Sequence, residues 1–176
     1  TDEYSETQDI SVSVSDDSPS ASTLVAGQAI AHLASFDFEN STSDDVVVTS
    51  VALTREGVSA DTTLSNVYLF EDWVRTSDAA TVSSGVITWN DSSGLFTVPA
   101  GETFTVAVRS DIAASTSGLT VGVSMDPDDL EYDGAYASTG SSLESDTHTI
   151  ATVTNFGTVA LATTTSPSSD GAPNPE

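Results

Sequence analysis

The sequence predicts an all-β protein, an antiparallel β-sandwich, and three observations carry the prediction. Apolar and polar residues alternate with a period of two through much of the chain, as in "ISVSVS" (Ile10–Ser15) and "TFTVAVRS" (Thr103–Ser110). Such alternation marks a strand with one face buried and the other in water. Clusters of Ser, Asp, Asn, Gly and Pro separate these runs and suit turns. Good helix formers other than Ala are sparse, whereas Val and Thr recur throughout.

The strands follow in order. "ISVSVS" comes first, after an acidic, polar stretch over residues 1–9 that reads as a flexible N-terminus. Next are "AIAHLASFDF" (Ala29–Phe38), "VVVTSVALT" (Val46–Thr54), "NVYLFEDWV" (Asn66–Val74) and "GVITWN" (Gly85–Asn90). "TFTVAVRS", "GLTVGVSM" (Gly118–Met125) and "TIATVTNFGTVALAT" (Thr149–Thr163) complete the set. This makes about eight strands in a single domain over residues 10–163, with an immunoglobulin-like or jelly-roll-like sandwich as the expected form. Residues 164–176 form a Pro/Ser/Gly-rich tail or linker.

Alternation also assigns faces. Phe104, Val106 and Val108 share one face of their strand, and Thr103, Thr105, Ala107 and Arg109 the other. In "NVYLFEDWV", Val67, Leu69 and Trp73 are expected to point inward, with Tyr68 and Phe70 on a second apolar surface. "VPAG" (Val98–Gly101) is a tight turn, Pro99 supplying the fixed φ of its second position. The expected core is Val12, Leu33, Phe36, Val48, Val51, Leu69, Val86, Phe104, Val106, Val108, Val121 and Val153.

Charge narrows the partners. The chain carries 27 acidic residues against three arginines (Arg55, Arg75, Arg109) and no lysine, a formal net charge of −24. Such a surface repels phosphate backbones and anionic lipid heads, so neither nucleic-acid binding nor membrane insertion is expected. It also repels itself, and two readings fit: a solvated shell for salty media, or selection for cation binding. There is no cysteine, which removes thiol chemistry and Cys-ligated zinc and suits an exported protein with a large β core. No apolar run reaches the roughly 18 residues of a membrane span. The expectation is a mature extracellular or cell-surface chain.

Catalysis finds little support. The two histidines, His32 and His148, both fall in strands, and no serine or aspartate sits in a nucleophile motif. His32 is expected to be a strand residue satisfied by a neighbour. Paired carboxylates abound, but a sugar-cleaving cleft also wants exposed aromatics, and two Trp and four Tyr are a thin supply. The chain is not expected to be an enzyme.

The stretch "DPDDLEYDG" concentrates acids at Asp126, Asp128, Asp129, Glu131 and Asp133. From Asp129 it places carboxylates at positions one, three and five and Gly134 at six, like the first half of an EF-hand loop. The second half is missing, since position twelve is Gly140. Two readings remain, a looser Ca²⁺ loop between strands and a merely solvated acidic loop. Ca²⁺ is the candidate ion because flexible all-oxygen sites suit it better than Mg²⁺ or Zn²⁺. Two sequons, at Asn40 ("NST") and Asn90 ("NDS"), are candidate acceptors for a covalent glycan if the host glycosylates exported proteins.

The segment from Leu64 to Ile112 resembles the repeated β-sandwich units of prokaryotic surface-layer and extracellular filament proteins. The matching residues are Leu64, Asn66, Val67 and Leu69, then Gly85, Val86 and Trp89, then Val98 to Gly101, then Asp111 with Ile112. The resemblance implies a structural, exported protein of a kind often glycosylated and often calcium-dependent, although this chain holds only one copy of the unit. The expected function is a structural subunit of a surface layer or filament that assembles with itself. Polymerisation would proceed by adding a terminal strand such as "QDISVSVS" or "TVALATTT" to a neighbour's sheet. The alternative is an adhesin or carbohydrate-binding module of a larger secreted protein, which an exposed row of aromatics on one sheet face would favour.

Overall fold

Two β-sheets pack face to face around an apolar core, in a computed structural model that describes residues 8–138 and 140–153. The strands are β1 (Gln8–Val14), β2 (Thr23–Val25), β3 (Ala31–Asn40), β4 (Val46–Glu56), β5 (Leu64–Glu71), β6 (Val74–Arg75) and β7 (Val86–Asn90). They continue with β8 (Phe96–Val98), β9 (Thr103–Ile112), β10 (Thr120–Met125), β11 (Glu131–Tyr132), β12 (Tyr136–Ser138), β13 (Leu143–Glu144) and β14 (His148–Ala151). The only helical pieces among the described residues are 3₁₀ turns at Asp61–Thr63 and Pro127–Asp129. No helix there is long and apolar enough to cross a membrane.

The six-stranded sheet runs β12-β1-β3-β9-β5-β6, and the eight-stranded sheet runs β11-β4-β10-β14-β2 with β13 on β10 and both β7 and β8 on β4. Pairing is antiparallel except for β1 with β12 and β14 with β2, which run parallel. The long strands are those with clear alternation. The two- and three-residue strands are too short to show a period, which is why the expected count of about eight falls below the number formed.

The core lies between the sheets. Phe36 and Phe38 of β3, Leu69 of β5, Ile87 of β7 and Ile150 of β14 are all buried, each contributing about 1.5–3 kcal/mol by leaving water. Phe96 joins the layers, edge-on to Phe38 at 5.1 Å and stacked on Phe104 at 5.1 Å. His148 is fully buried and ties β14 to β3. Its Nε2 donates to the Leu33 carbonyl at 2.9 Å, and its Nδ1 lies 2.9 Å from the Ser22 hydroxyl.

Nine of the expected core residues are buried: Val12, Leu33, Phe36, Val48, Val51, Leu69, Val106, Val108 and Val121. Phe104 is half-buried at the sheet's end. Val86 is 41% exposed, because β7 turns Ile87 and Trp89 inward and so must turn Val86 out. Val153 is 40% exposed, beyond the end of β14. Trp73 does not point inward either; the chain turns at Asp72, and the indole is 77% exposed.

The N-terminal strand is not spare. β1 pairs with β3 over five residues, Ile10 to Val14, and buries Ile10 completely. Removing residues 1–15 would strip a core strand instead of leaving an intact sandwich. The other proposed donor, "TVALATTT", lies outside the described residues, as do the tail 164–176 and residues 1–7.

Candidate binding face

The acidic loop is spread out. Asp126 caps the Pro127–Asp129 turn, its carboxylate accepting the Asp128 backbone N–H at 3.1 Å. Asp128 and Asp129 point to solvent from that turn, and Glu131 is exposed on β11, opposite Ser50. Asp133 is also exposed, its backbone N–H bonded to the Val47 carbonyl at 2.9 Å. Gly134 does adopt the left-handed conformation expected of it, with φ 103°. Among the described residues no three His, Asp or Glu side chains gather to hold a metal. β11 spans only Glu131 and Tyr132, so Asp129 precedes it in the 3₁₀ turn and Asp133 follows it in a bend.

The sequons part company. Asn90 ends β7 and is exposed. Asn40 is 1% exposed, and its Nδ2 donates to the carbonyls of Asp44 at 2.9 Å and Val98 at 3.0 Å. Its Oδ1 accepts the Thr42 N–H at 2.9 Å. A glycan on that nitrogen has no room in this fold, so Asn40 is a structural residue that locks the loop between β3 and β4.

Side chains with chemical potential collect on the outer face of the six-stranded sheet. Register sets His32 of β3 beside Arg109 of β9, and Arg109 beside Tyr68 of β5. A β-bulge between His32 and Ala34 lets Leu33 and Ala34 both face the core, so that His32 and Ser35 share the outer face. His32 Nε2 lies 2.8 Å from the Ser35 hydroxyl, the satisfied state expected for it. Burial first, and then the Arg109 charge, hold the ring below its ordinary pKa and keep it neutral at pH 7.

Asp111 anchors one end of this face. It accepts from the Ile30 N–H at 3.0 Å, Asn66 Nδ2 at 3.2 Å and the Tyr68 hydroxyl at 3.0 Å. Burial pushes its carboxyl up, but the three donors outweigh that and hold it below the usual range. The same bond pushes the Tyr68 phenol up. Asn66 and Asp111, both part of the surface-unit resemblance, therefore meet across β5 and β9 as a structural pair.

At the centre stands Arg109, 9% exposed. Its Nε is buried without a hydrogen-bond partner, and its guanidinium forms no salt bridge among the described residues. The other two cations are paired, Arg55 with Asp61 at 3.4 Å and Arg75 with Asp78 at 3.8 Å. Burial lowers the Arg109 pKa, yet an arginine stays charged at neutral pH. Its compensation is aromatic: the guanidinium carbon lies 4.3 Å from the Trp73 ring centre and 5.8 Å from that of Phe70. Such contacts are worth about 0.5–2 kcal/mol, less than a buried cation loses with its water. Asp72 turns the chain between β5 and β6 at φ 51° and lifts Trp73 over the arginine. Tyr68 packs edge-on to Phe70 at 6.3 Å beneath the Arg75 guanidinium, extending the row. A cavity of 380 Å³ opens here, walled by His32, Ser35, Arg109, Trp73, Asp17 and Asp72.

Face alternation separates Arg109 from the core, but the roof over it was not legible, because Trp73 arrives through a turn inside a run that reads as one strand. No protein-family model and no curated protein matches the chain. Two solved structures show a distant likeness. One is a chain of the CaDoc0917–CaCohA2 complex crystallised at pH 5.5, 13% identical, with a TM-score of 0.38, covering 80% of this chain and 99% of its own. The other is the seventh ScaB type I cohesin from Pseudobacteroides cellulosolvens, 14% identical, with a TM-score of 0.31, covering 90% of this chain and 99% of its own. Neither likeness assigns a family or a function.

Proposed function

We propose that this chain is a non-enzymatic β-sandwich module of an extracellular protein, which binds a glycan through the outer face of its six-stranded sheet. The observation that carries the reading is an exposed Trp73 lying over a buried, unpaired Arg109 beside an open cavity. Water-facing indole is costly to display and suits a flat apolar ligand surface such as a sugar ring. Trp73 exposed on the same face as a half-buried Tyr68 and the buried Phe70 favours a binding module over a purely structural unit. Self-assembly by strand donation has less support, since β1 already belongs to its own sheet. Asn90 remains the accessible sequon for a covalent glycan.

A glycan array probed with the labelled protein and with Trp73→Ala tests the reading. The wild type should retain a defined subset of glycans and the variant should lose it. Binding to no glycan, or to the same set in both proteins, would overturn it.

A further inference from the structure

We propose that the cavity beneath Trp73 takes the carboxylate of an acidic sugar residue, a hexuronate, with Arg109 as counter-ion and the indole as platform for the ring. This rests on the reading that the face binds a glycan. Arg109 is the only arginine without a carboxylate partner among the described residues, in a chain of 27 acids. It is 9% exposed, lines the cavity and leaves Nε unbonded. A planar guanidinium in that state matches a carboxylate, which accepts two parallel N–H bonds from it. The Asp17 and Asp72 carboxylates on the same wall lie beyond ion-pair distance of Arg109 and are acceptors for sugar hydroxyls. A bare carboxylate would gain nothing from them. The cavity's 380 Å³ falls within the usual range for small-ligand pockets, about 300–1,000 Å³.

Net charge refines the ligand. At −24 the protein repels a uniformly charged polymer, so the occupant is an isolated or terminal uronate on an otherwise neutral glycan. Added salt shortens the reach of that repulsion, to about 10 Å at 0.1 M and 3 Å at 1 M, while the buried contact is screened much less. Affinity should therefore hold or rise with NaCl, the reverse of an ordinary surface ion pair.

Calorimetric titration with glucuronate and galacturonate, beside their methyl esters and the matching neutral hexoses, decides the matter. The wild type should bind at least one uronate tenfold or more tighter than its ester. Arg109→Gln should erase that ratio, and Trp73→Ala should weaken acid and ester together. Should Arg109→Gln fail to fold, the acid-to-ester ratio of the wild type decides alone. Acid and ester binding within twofold of each other would overturn the carboxylate assignment while array binding that depends on Trp73 keeps the glycan reading. Loss of both, with no effect of Trp73→Ala, would overturn the two together.

Discussion

Replacing Asn40 with aspartate changes one group and separates a structural role from a modification site. The side chain keeps its shape but loses both N–H donors, and with them the bonds to the Asp44 and Val98 carbonyls. The Asp44 bond is partly exposed, and losing it costs about 1 kcal/mol. The Val98 bond is buried, and its stranded carbonyl costs about 1–3 kcal/mol. A carboxylate facing two carbonyl oxygens in a 1% exposed site adds a desolvation penalty, bringing the total to about 3–5 kcal/mol. Burial raises the introduced acid's folded pKa above its unfolded value, so this penalty is full at pH 7 and shrinks as pH falls through the folded pKa. Urea unfolding of protein made in a host that does not glycosylate measures the effect directly. Thr42→Ala, which destroys the same sequon, removes two solvent-exposed bonds, the hydroxyl to the Asp44 carbonyl at 2.9 Å and the Asp44 N–H to the hydroxyl at 3.4 Å, and should cost about 1 kcal/mol. Equal, small losses in both variants would refute the structural assignment of Asn40.

Three further outcomes are expected. Melting temperature should climb through the first few hundred millimolar NaCl, because 27 acids face three cations and salt screens their repulsion; a flat profile would mean that the charges are already compensated. Asp111 has a lowered folded pKa, so it stabilises above its unfolded value near about 3.9 and that contribution is lost as pH falls through the folded value. Asp111→Asn should therefore lose stability at pH 7 and converge with the wild type in strong acid, as followed by denaturant midpoints. Ile30 holds φ 44° on a half-exposed turn, a conformation hard on a β-branched residue, and Ile30→Asn should raise stability by about 1 kcal/mol in the same assay.

The long strands were legible because each buries one face, which writes a period of two into the sequence. The turn near Pro99 was legible but one residue out of place: Glu102 N–H closes onto the Pro99 carbonyl at 3.2 Å, so Pro99 opens the turn and Gly101, at φ 70°, takes its third position. In "GVITWN" alternation itself sets Ile87 and Trp89 against Val86, Thr88 and Asn90, and placing Val86 in the core goes against that period. The bulge at His32 leaves no mark in the pattern, because one inserted residue shifts the parity that alternation relies on. Asn66 and Asp111 stood out as pattern, yet their bond depends on the β5–β9 register, a long-range feature. The candidate site was the least visible part. Arg109 was placed on the outer face, but its burial depends on Trp73 folding back from a turn that interrupts an apparently continuous strand. The acidic loop was legible as a spacing of carboxylates, whereas the 3₁₀ turn at Pro127–Asp129 and the two-residue β11 that carry them were too short to read.

Tryptophan emission tests the central claim most directly, because the chain has two tryptophans in opposite settings: Trp73 is 77% exposed and Trp89 is 4% exposed. Titrating the protein with a glycan that it retains on the array should shift or quench the emission of Trp73. Trp73→Phe, which leaves only the buried Trp89 as reporter, should stay silent and bind more weakly. Full binding by Trp73→Phe, with hydrogen-exchange protection falling on the eight-stranded sheet instead, would contradict the account.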